Sequence, residues 1–284
     1  MPEPQTVTRP RLSVSIMKLR DKQLWLFDVD NTIVEQVEHP VPFQDALHLC
    51  RELTRRGKAI GILTNVGRLS SRQIQTAVNG AGFQFEIGKV FSAGAAAAAY
   101  VHNRSPGARC FVISEGGAIE DFVARGLDVT NNPPVDYVAV GADRGMTFDR
   151  LNFATKMVRK GAPLICISGS RDYPGVYLGT EDTFIGERSI VAAIEDATGV
   201  KAVVVGKPLP EIFVESVRSL GLSVTDSVMV GDNPASDIAG GRAAGMTTIL
   251  VRRDPQLILP YESGGLNQTP DITVTSLDEI IPKL

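Results

Sequence analysis

The stretch Leu24-Trp25-Leu26-Phe27-Asp28-Val29-Asp30-Asn31-Thr32 decides how the rest of the chain is read. It opens as an unbroken apolar run, the pattern of a strand buried on both faces of a parallel sheet. It then breaks into two acids, an amide and a hydroxyl. Desolvating two carboxylates at a strand end costs roughly several kcal/mol each unless a cation or hydrogen-bond donors compensate. Open α/β sheets bind ligands just outside the carboxyl ends of their strands. The stretch therefore points to a metal-assisted site centred on Asp28 and Asp30. The plainer alternative is a strand followed by an acidic Asx-turn.

Similar junctions recur along the chain. A helix over about Phe43 to Arg56, stopped by Gly57, leads to Ala59-Ile60-Gly61-Ile62-Leu63, a second buried strand ending in Thr64-Asn65. Gly67, Arg68, Ser70 and Ser71 open the next helix, and a helix start beside a hydroxyl is a ready anion site. Far downstream, Ala202-Val203-Val204-Val205 runs into Gly206-Lys207-Pro208, and Ser227-Val228-Met229-Val230 into Gly231-Asp232-Asn233-Pro234-Ala235-Ser236-Asp237. Between these halves, residues 91–180 alternate helix and strand without acids at the strand ends. They read as an inserted α/β unit, with a glycine-rich return hinge over Arg171 to Gly186. Thr247 to Val251, Ile272 to Val274 and a short helix from Leu277 to Ile281 close the chain.

Bulk properties narrow the function. At 284 residues, 43% hydrophobic and 21% charged, the chain is an ordinary globular protein of about two domains. A formal net charge of -3 leaves no basic footprint for nucleic acid. No apolar run approaches the ~20 residues of a membrane helix, and the N-terminus lacks the apolar core of a signal peptide. Residues 1–21 read as a flexible extension. Cys50, Cys110 and Cys166 are scattered among apolar neighbours, as expected of reduced thiols in a cytoplasmic protein. His39, His48 and His102 have no metal-ligand spacing, which argues against zinc.

Taken in order, Asp-x-Asp-x-Thr at 28–32, Thr64-Asn65, Lys207 and Gly-Asp-x-x-x-x-Asp at 231–237 resemble the four motifs of the haloacid dehalogenase-like superfamily. The long insert, and the run Gly141-Ala142-Asp143 … Phe148-Asp149-Arg150-Leu151 inside it, resemble the NagD and 4-nitrophenylphosphatase branch of sugar phosphatases. The resemblance spans about residues 22–284. It implies a Rossmann-like parallel-sheet core (22–90 and 181–284) carrying an inserted α/β cap (91–180) that closes to exclude water. The activity it implies is Mg²⁺-dependent hydrolysis of a small phosphomonoester through an aspartyl-phosphate.

By that resemblance Asp28 is the nucleophile and Asp30 the acid, then base, its proton held by the negative field around it. Thr64 donates to a phosphoryl oxygen, Asn65 shapes the loop beside it, and Lys207 pairs with phosphate and nucleophile. Asp28, Asp232 and the Asp30 carbonyl ligate Mg²⁺, with Asn233 and Asp237 behind them. For Asp237 the alternative is a charge complementing a helix dipole.

The pattern departs from the family in three places. Asn31 stands where this branch carries glycine, a residue that tolerates left-handed backbone. Thr64-Asn65-Val66-Gly67 replaces a Thr-Asn-Asn-Ser-like run. Ile167-Ser168-Gly169-Ser170-Arg171-Asp172-Tyr173-Pro174 matches the family's Ala-Thr-Asn-x-Asp … Pro imperfectly, with Ser168 and Asp172 as stand-ins. In the cap, Arg144 and Arg171 are candidates to meet an anionic leaving group and Asp143 to orient a sugar hydroxyl, against the alternative of solvated side chains. The expected partner is a small phosphorylated metabolite (sugar phosphate, phosphoglycolate, nucleotide or 4-nitrophenyl phosphate type), with the cap as a homodimer surface. Rival readings are phosphoryl transfer to another acceptor, dehalogenation, and a catalytically silent phosphate sensor or scaffold on the same fold.

Overall fold

The first strand, β1 (Leu24–Phe27), is buried at every position, as four large apolar side chains in a row require. The computed structural model of the protein describes residues 19–177, 180–253 and 268–284. After β1 come α1 (Gln44–Arg55), β2 (Ala59–Thr64), α2 (Ser71–Gly80) and β3 (Val90–Ser92). The apolar stripe of α1 (Ala46, Leu49, Cys50, Leu53) faces the sheet. A capping box opens α2. Its Gln73 N–H donates to the Ser70 hydroxyl at 3.2 Å, and the Gln73 side chain accepts from Ser70 N at 2.9 Å.

The chain then leaves for a second layer: α3 (Ala93–Arg104), β4 (Arg109–Ile113), α4 (Gly117–Ala124), β5 (Asp128–Val129), β6 (Tyr137–Val140), α5 (Phe148–Arg159), β7 (Leu164–Cys166), β8 (Asp172–Tyr177), β9 (Thr180–Ile185), α6 (Glu187–Thr198) and β10 (Val203–Val204). It returns through α7 (Pro210–Ser219), β11 (Ser227–Gly231), α8 (Ala239–Ala244), β12 (Thr247–Val251) and β13 (Ile272–Val274). A final 3₁₀ helix covers Leu277–Lys283.

The first sheet has six parallel strands in the order β13-β12-β11-β1-β2-β3. Strands after β1 go to one side and those after the insert to the other, so the topological switch lies between β1 and β11. Side chains alternate across the sheet. Trp25, Phe27, Ile62, Val228 and Val230 pack with α1 and the C-terminal turn, whereas Leu24, Leu26 and Met229 pack with Ile212, Phe213 and Val217 of α7. Coverage of both faces makes these strands continuously apolar in sequence. The second sheet is also parallel, in the order β10-β7-β6-β4-β5, while β8 and β9 form a separate antiparallel hairpin. Among the described residues no helix is long and apolar enough to cross a membrane.

Three sequence boundaries are corrected. The insert does not end at residue 180. The α6 residues Ile190, Val191 and Ile194 share a core with Phe111, Val138 and Val140, and β10 pairs with β7, so the second layer extends to Val204. The stretch Arg171 to Gly186 is not a hinge but mostly the β8–β9 hairpin. The N-terminal extension is shorter than 21 residues, because Leu19 is fully buried in the first core. Residues 1–18 of it lie outside the described residues.

Candidate active site

Parallel pairing places the carboxyl ends of β2, β1 and β11 side by side, with Phe27 opposite Ile62 and Val230. Asp28 N donates to Val230 O at 2.9 Å, extending this register by one residue and bringing Asp28 beside the strand that leads to Asp232. The two acids thus flank the switch point of the sheet. Among the described residues, Asp28, Asp232 and Asp237 offer carboxylate oxygens within 4.8 Å of one another.

Lys207 supplies the counter-charge. Its ammonium is 2% exposed and donates to Asp28 Oδ1 (2.7 Å), Asp237 Oδ1 (2.5 Å) and Leu63 O (3.0 Å), which uses all three of its protons. Burial alone would lower its pKa, but Asp237 and Asp28 more than reverse this and hold the lysine charged. Its backbone is fixed from β2. Asn65 Oδ1 accepts from Lys207 N at 2.8 Å and Asn65 Nδ2 donates to Lys207 O at 3.0 Å. Asn65 therefore grips the lysine and so shapes the loop beside Thr64. This close approach needs Gly206, where a Cβ would lie 2.6 Å from Asn65 Oδ1.

Asp237 is fully buried, with Oδ1 on Lys207 and Oδ2 accepting from Asn233 N at 3.1 Å. Both oxygens are occupied, which suits an orienting role better than metal ligation or helix-dipole charge. The Gly-Asp motif explains itself here, because a Cβ at Gly231 would lie 2.2 Å from Asp237 Oδ2. Asn233 caps the turn after β11, its Oδ1 accepting from Ala235 N and Ser236 N. Asp232 is less well satisfied, the Thr32 hydroxyl standing 3.5 Å from its Oδ1. Burial, then the fields of Asp28 and Asp237, raise its pKa well above the usual carboxylate range. An all-carboxylate site with one such poorly compensated acid suits a hard, oxygen-seeking cation, which Asp28 and Asp232 could hold.

Asp30 lies beyond the strand end and its Oδ1 accepts from Val37 N at 2.7 Å. Burial, then repulsion from Asp28, raise its pKa to about 6. Asn31 has φ 56°, alone among described non-glycine residues in the left-handed region, as its replacement of glycine anticipates. Thr64 is buried, and its Oγ1 accepts from Val66 N at 3.2 Å, leaving the hydroxyl proton to give.

The second layer meets this site through loops at the carboxyl ends of its own strands. Gly117 N donates to Arg68 O at 3.0 Å, and Ser114 Oγ to Gly67 O at 3.2 Å. A depression of about 470 Å³ between the β4 and β6 loops is lined by Ser114, Glu115, Asp143, Arg144 and Arg150, among others. Arg144 is held by two carboxylates. Its Nε and Nη2 grip Glu115 at 2.7 and 2.5 Å, and Nη2 also reaches Glu38 at 3.3 Å. Asp143 accepts from Gly145 N at 2.9 Å and faces Arg150 at 3.8 Å. Arg171 is exposed at the entry to β8, where its carbonyl accepts from Gly186 N and Ser189 Oγ. Ser168 donates to Glu187 Oε1, a buried carboxyl whose pKa burial raises to about 7.

The sequence reading missed Glu38, Glu115 and Glu187, and named Arg68 and Tyr173 only within a helix start and a loop motif, without a role of their own. Arg68 pairs with Glu38 at 3.2 Å and stacks 4.5 Å from the centre of the Tyr173 ring. Its one sequence signal is position, four residues after Thr64.

The family model described as "Haloacid dehalogenase-like hydrolase" matches residues 25–128, and a HAD-hydrolase-like model matches residues 204–280. The chain is 30% identical over 228 residues to the 5′-nucleotidase YutF of Bacillus subtilis, covering 80% of this chain and 86% of that one. The protein belongs to the haloacid dehalogenase-like hydrolases. An acid sugar phosphatase of Staphylococcus aureus is 27% identical over 94% of this chain and 99% of its own. In structure, the p-nitrophenyl phosphatase of Archaeoglobus fulgidus superposes with a TM-score of 0.82 at 27% identity, covering 93% of this chain and all of that one. The 4-nitrophenylphosphatase of Thermotoga maritima gives 0.81 at 25% identity, over 93% and 98% of the two chains. Within the haloacid dehalogenase-like hydrolases the protein is a phosphatase of the NagD and 4-nitrophenylphosphatase branch.

Proposed function

We propose that the protein hydrolyses a small phosphomonoester with an uncharged leaving group, of the sugar-phosphate or nucleoside type, through an aspartyl-phosphate on Asp28. The observation that carries the reading is a pair of unlike carboxyls two residues apart. Asp28 touches the Lys207 ammonium at 2.7 Å, while Asp30 has its pKa raised to about 6. Such a pair separates nucleophile from proton carrier.

In the first step an Asp28 oxygen attacks phosphorus and the bond to the leaving oxygen breaks, Asp30 giving that oxygen its proton. In the second, water attacks phosphorus, Asp30 takes its proton and the Asp28–phosphorus bond breaks. The Thr64 hydroxyl donates to a phosphoryl oxygen and Lys207, released from Asp28 Oδ1 as that oxygen bonds phosphorus, turns one proton to the phosphoryl group, while Asp237 and Asn65 hold the lysine in register. Asp28 and Asp232, with the Asp30 carbonyl, would hold Mg²⁺, which neutralises phosphoryl charge when bound.

The leaving-group preference rests on Arg144, one of the two sequence candidates for a second anion beside Arg171, being held by Glu115 and Glu38. Sugar-phosphate and nucleotide activities carried in relatives' names agree with it. Phosphate release from 4-nitrophenyl phosphate, a sugar phosphate, a nucleoside monophosphate and phosphoglycolate, with Mg²⁺ or EDTA, tests the reading. Metal-dependent turnover absent from Asp28→Asn, and weakest on phosphoglycolate, is expected. Turnover of none of these would favour another phosphoryl acceptor or a binding role.

A further inference from the structure

Arg253 follows β12 and lies 221 residues from Thr32 in sequence, yet its guanidinium reaches the turn that carries Asp30. Its Nη2 donates to Thr32 O at 2.6 Å, and Nε stands 3.4 Å from Asn31 O. Its Nη1 contacts both oxygens of Asp45, at 3.1 and 3.0 Å, and the guanidinium lies 3.6 Å from the centre of the Phe43 ring. Asp45 is anchored in turn, because its Oδ2 accepts from Ser276 Oγ at 2.9 Å and Leu277 N at 2.8 Å. Arg253 pulls its pKa below the usual aspartate value against the effect of burial. The turn needs such a hold. Its amides fold back on Val29, with Ile33 N and Val34 N at 3.0 and 3.2 Å from Val29 O, so the Asn31 and Thr32 carbonyls point outward. Asn31 is in the left-handed region, and the Thr32 hydroxyl rests near Asp232.

We propose that Arg253, anchored by Asp45, is a positioning residue that clamps the Asp30–Thr32 turn and so aims the Asp30 carboxyl at the leaving oxygen. The planar fork explains the residue type, because a lysine cannot reach two carbonyls and a carboxylate while stacking on Phe43. The inference rests on the phosphatase reading above for its catalytic part. Its structural part stands on the hydrogen bonds alone.

The test compares wild type with Arg253→Met, which keeps an apolar stem against Phe43 but removes the donors. The parameter is kcat/KM, which reports formation of the aspartyl-phosphate and not its hydrolysis. 4-Nitrophenolate leaves without a proton, whereas a primary sugar alkoxide needs one. Loss of aim should therefore cut kcat/KM about 30- to 100-fold on glucose 6-phosphate and less than about 3-fold on 4-nitrophenyl phosphate. A general loss of structure would lower both alike, and equal losses overturn the proposal. Amide hydrogen exchange over residues 29–37 supplies the second readout, expected to quicken about tenfold in Arg253→Met. Unchanged protection overturns the clamp. If wild type releases phosphate from neither substrate, the phosphatase reading falls, and exchange alone decides the clamp. Should Arg253→Met fail to fold, Arg253→Lys is read in the same way. It keeps the charge but only a single donor nitrogen in place of the fork, so a smaller loss of the same selectivity is expected, and wild-type selectivity with wild-type exchange overturns the proposal.

Discussion

Replacing Asp30 with asparagine should abolish turnover and yet stabilise the protein, by an amount that depends on pH. The side chains are nearly isosteric, and the asparagine carbonyl can still accept from Val37 N, which stands 2.7 Å from Asp30 Oδ1. What disappears is a carboxylate that burial and Asp28 make hard to ionise, its pKa raised from 3.8 to about 6. At about 1.4 kcal/mol for each pH unit, this is about 3 kcal/mol, reduced to about 2 by water on the open side of the group. A raised acid pKa means that the folded state binds more protons than the unfolded one between pH 3.8 and about 6. Wild-type stability therefore falls as pH rises through that window, and the whole deficit is present above it. Urea unfolding in EDTA should show Asp30→Asn more stable by about 2 kcal/mol at pH 8, with a melting temperature about 4–8 °C higher. The gap should close by about pH 4. A variant no more stable than wild type at pH 8, or a gap independent of pH, would refute the account of Asp30.

Three further outcomes follow from the site. Lys207→Met should eliminate turnover and destabilise the protein by about 3–5 kcal/mol in urea melts, because Asp237 remains buried without its cation. A mutant as stable as wild type would count against the charged pair. Gly231→Ala puts a methyl 2.2 Å from Asp237 Oδ2, so a stability loss of about 1–3 kcal/mol is expected, and kcat should fall about a hundredfold as Lys207 loses its aim. Near-normal kinetics in that variant would mean Asp237 does not orient the lysine. EDTA should bring phosphate release to background and Mg²⁺ restore it, in wild type but not in Asp232→Asn; full activity in EDTA would remove the metal from the proposal.

The centre of the site was legible because its signals are local. Asp28, Thr64 and Asp232 each end an apolar strand, and parallel pairing of those strands brings them together without any need to know the loops. The second sheet was legible as strands, since Tyr137–Val140 and Leu164–Cys166 are buried apolar runs. Its extent was not. The β8–β9 hairpin is interrupted by Gly175 and bounded by Gly186, and it imitates a linker, while α6 carries an ordinary amphipathic stripe that suits either layer. Charged residues in loops defeated the reading for a different reason. Glu38 and Arg144 lie 106 residues apart, and each looks like a solvated side chain until the fold joins them. Asn65 was read as shaping the loop beside the site, but only the three-dimensional approach of Gly206 reveals that it does so by binding the Lys207 backbone.

The insertion of one sheet between the halves of another sets a timetable for synthesis. β1 is central, and it pairs with β2 within tens of residues, but its other neighbour begins at Ser227, about 200 residues after Leu24. At translation speeds of about 5–20 residues per second, one flank of β1 waits about 10–40 s for β11. A bare apolar strand edge is prone to wrong pairings during such an interval. The second layer, whose β4 to β7 strands are all made in that interval, can fold before β11 emerges. The segment after its β4 already touches Gly67 and Arg68, so it can hold the first half-sheet in place. Lys207 then emerges just after β10, ahead of the strand that bears Asp232, and the nascent chain acquires its cation before its last acids.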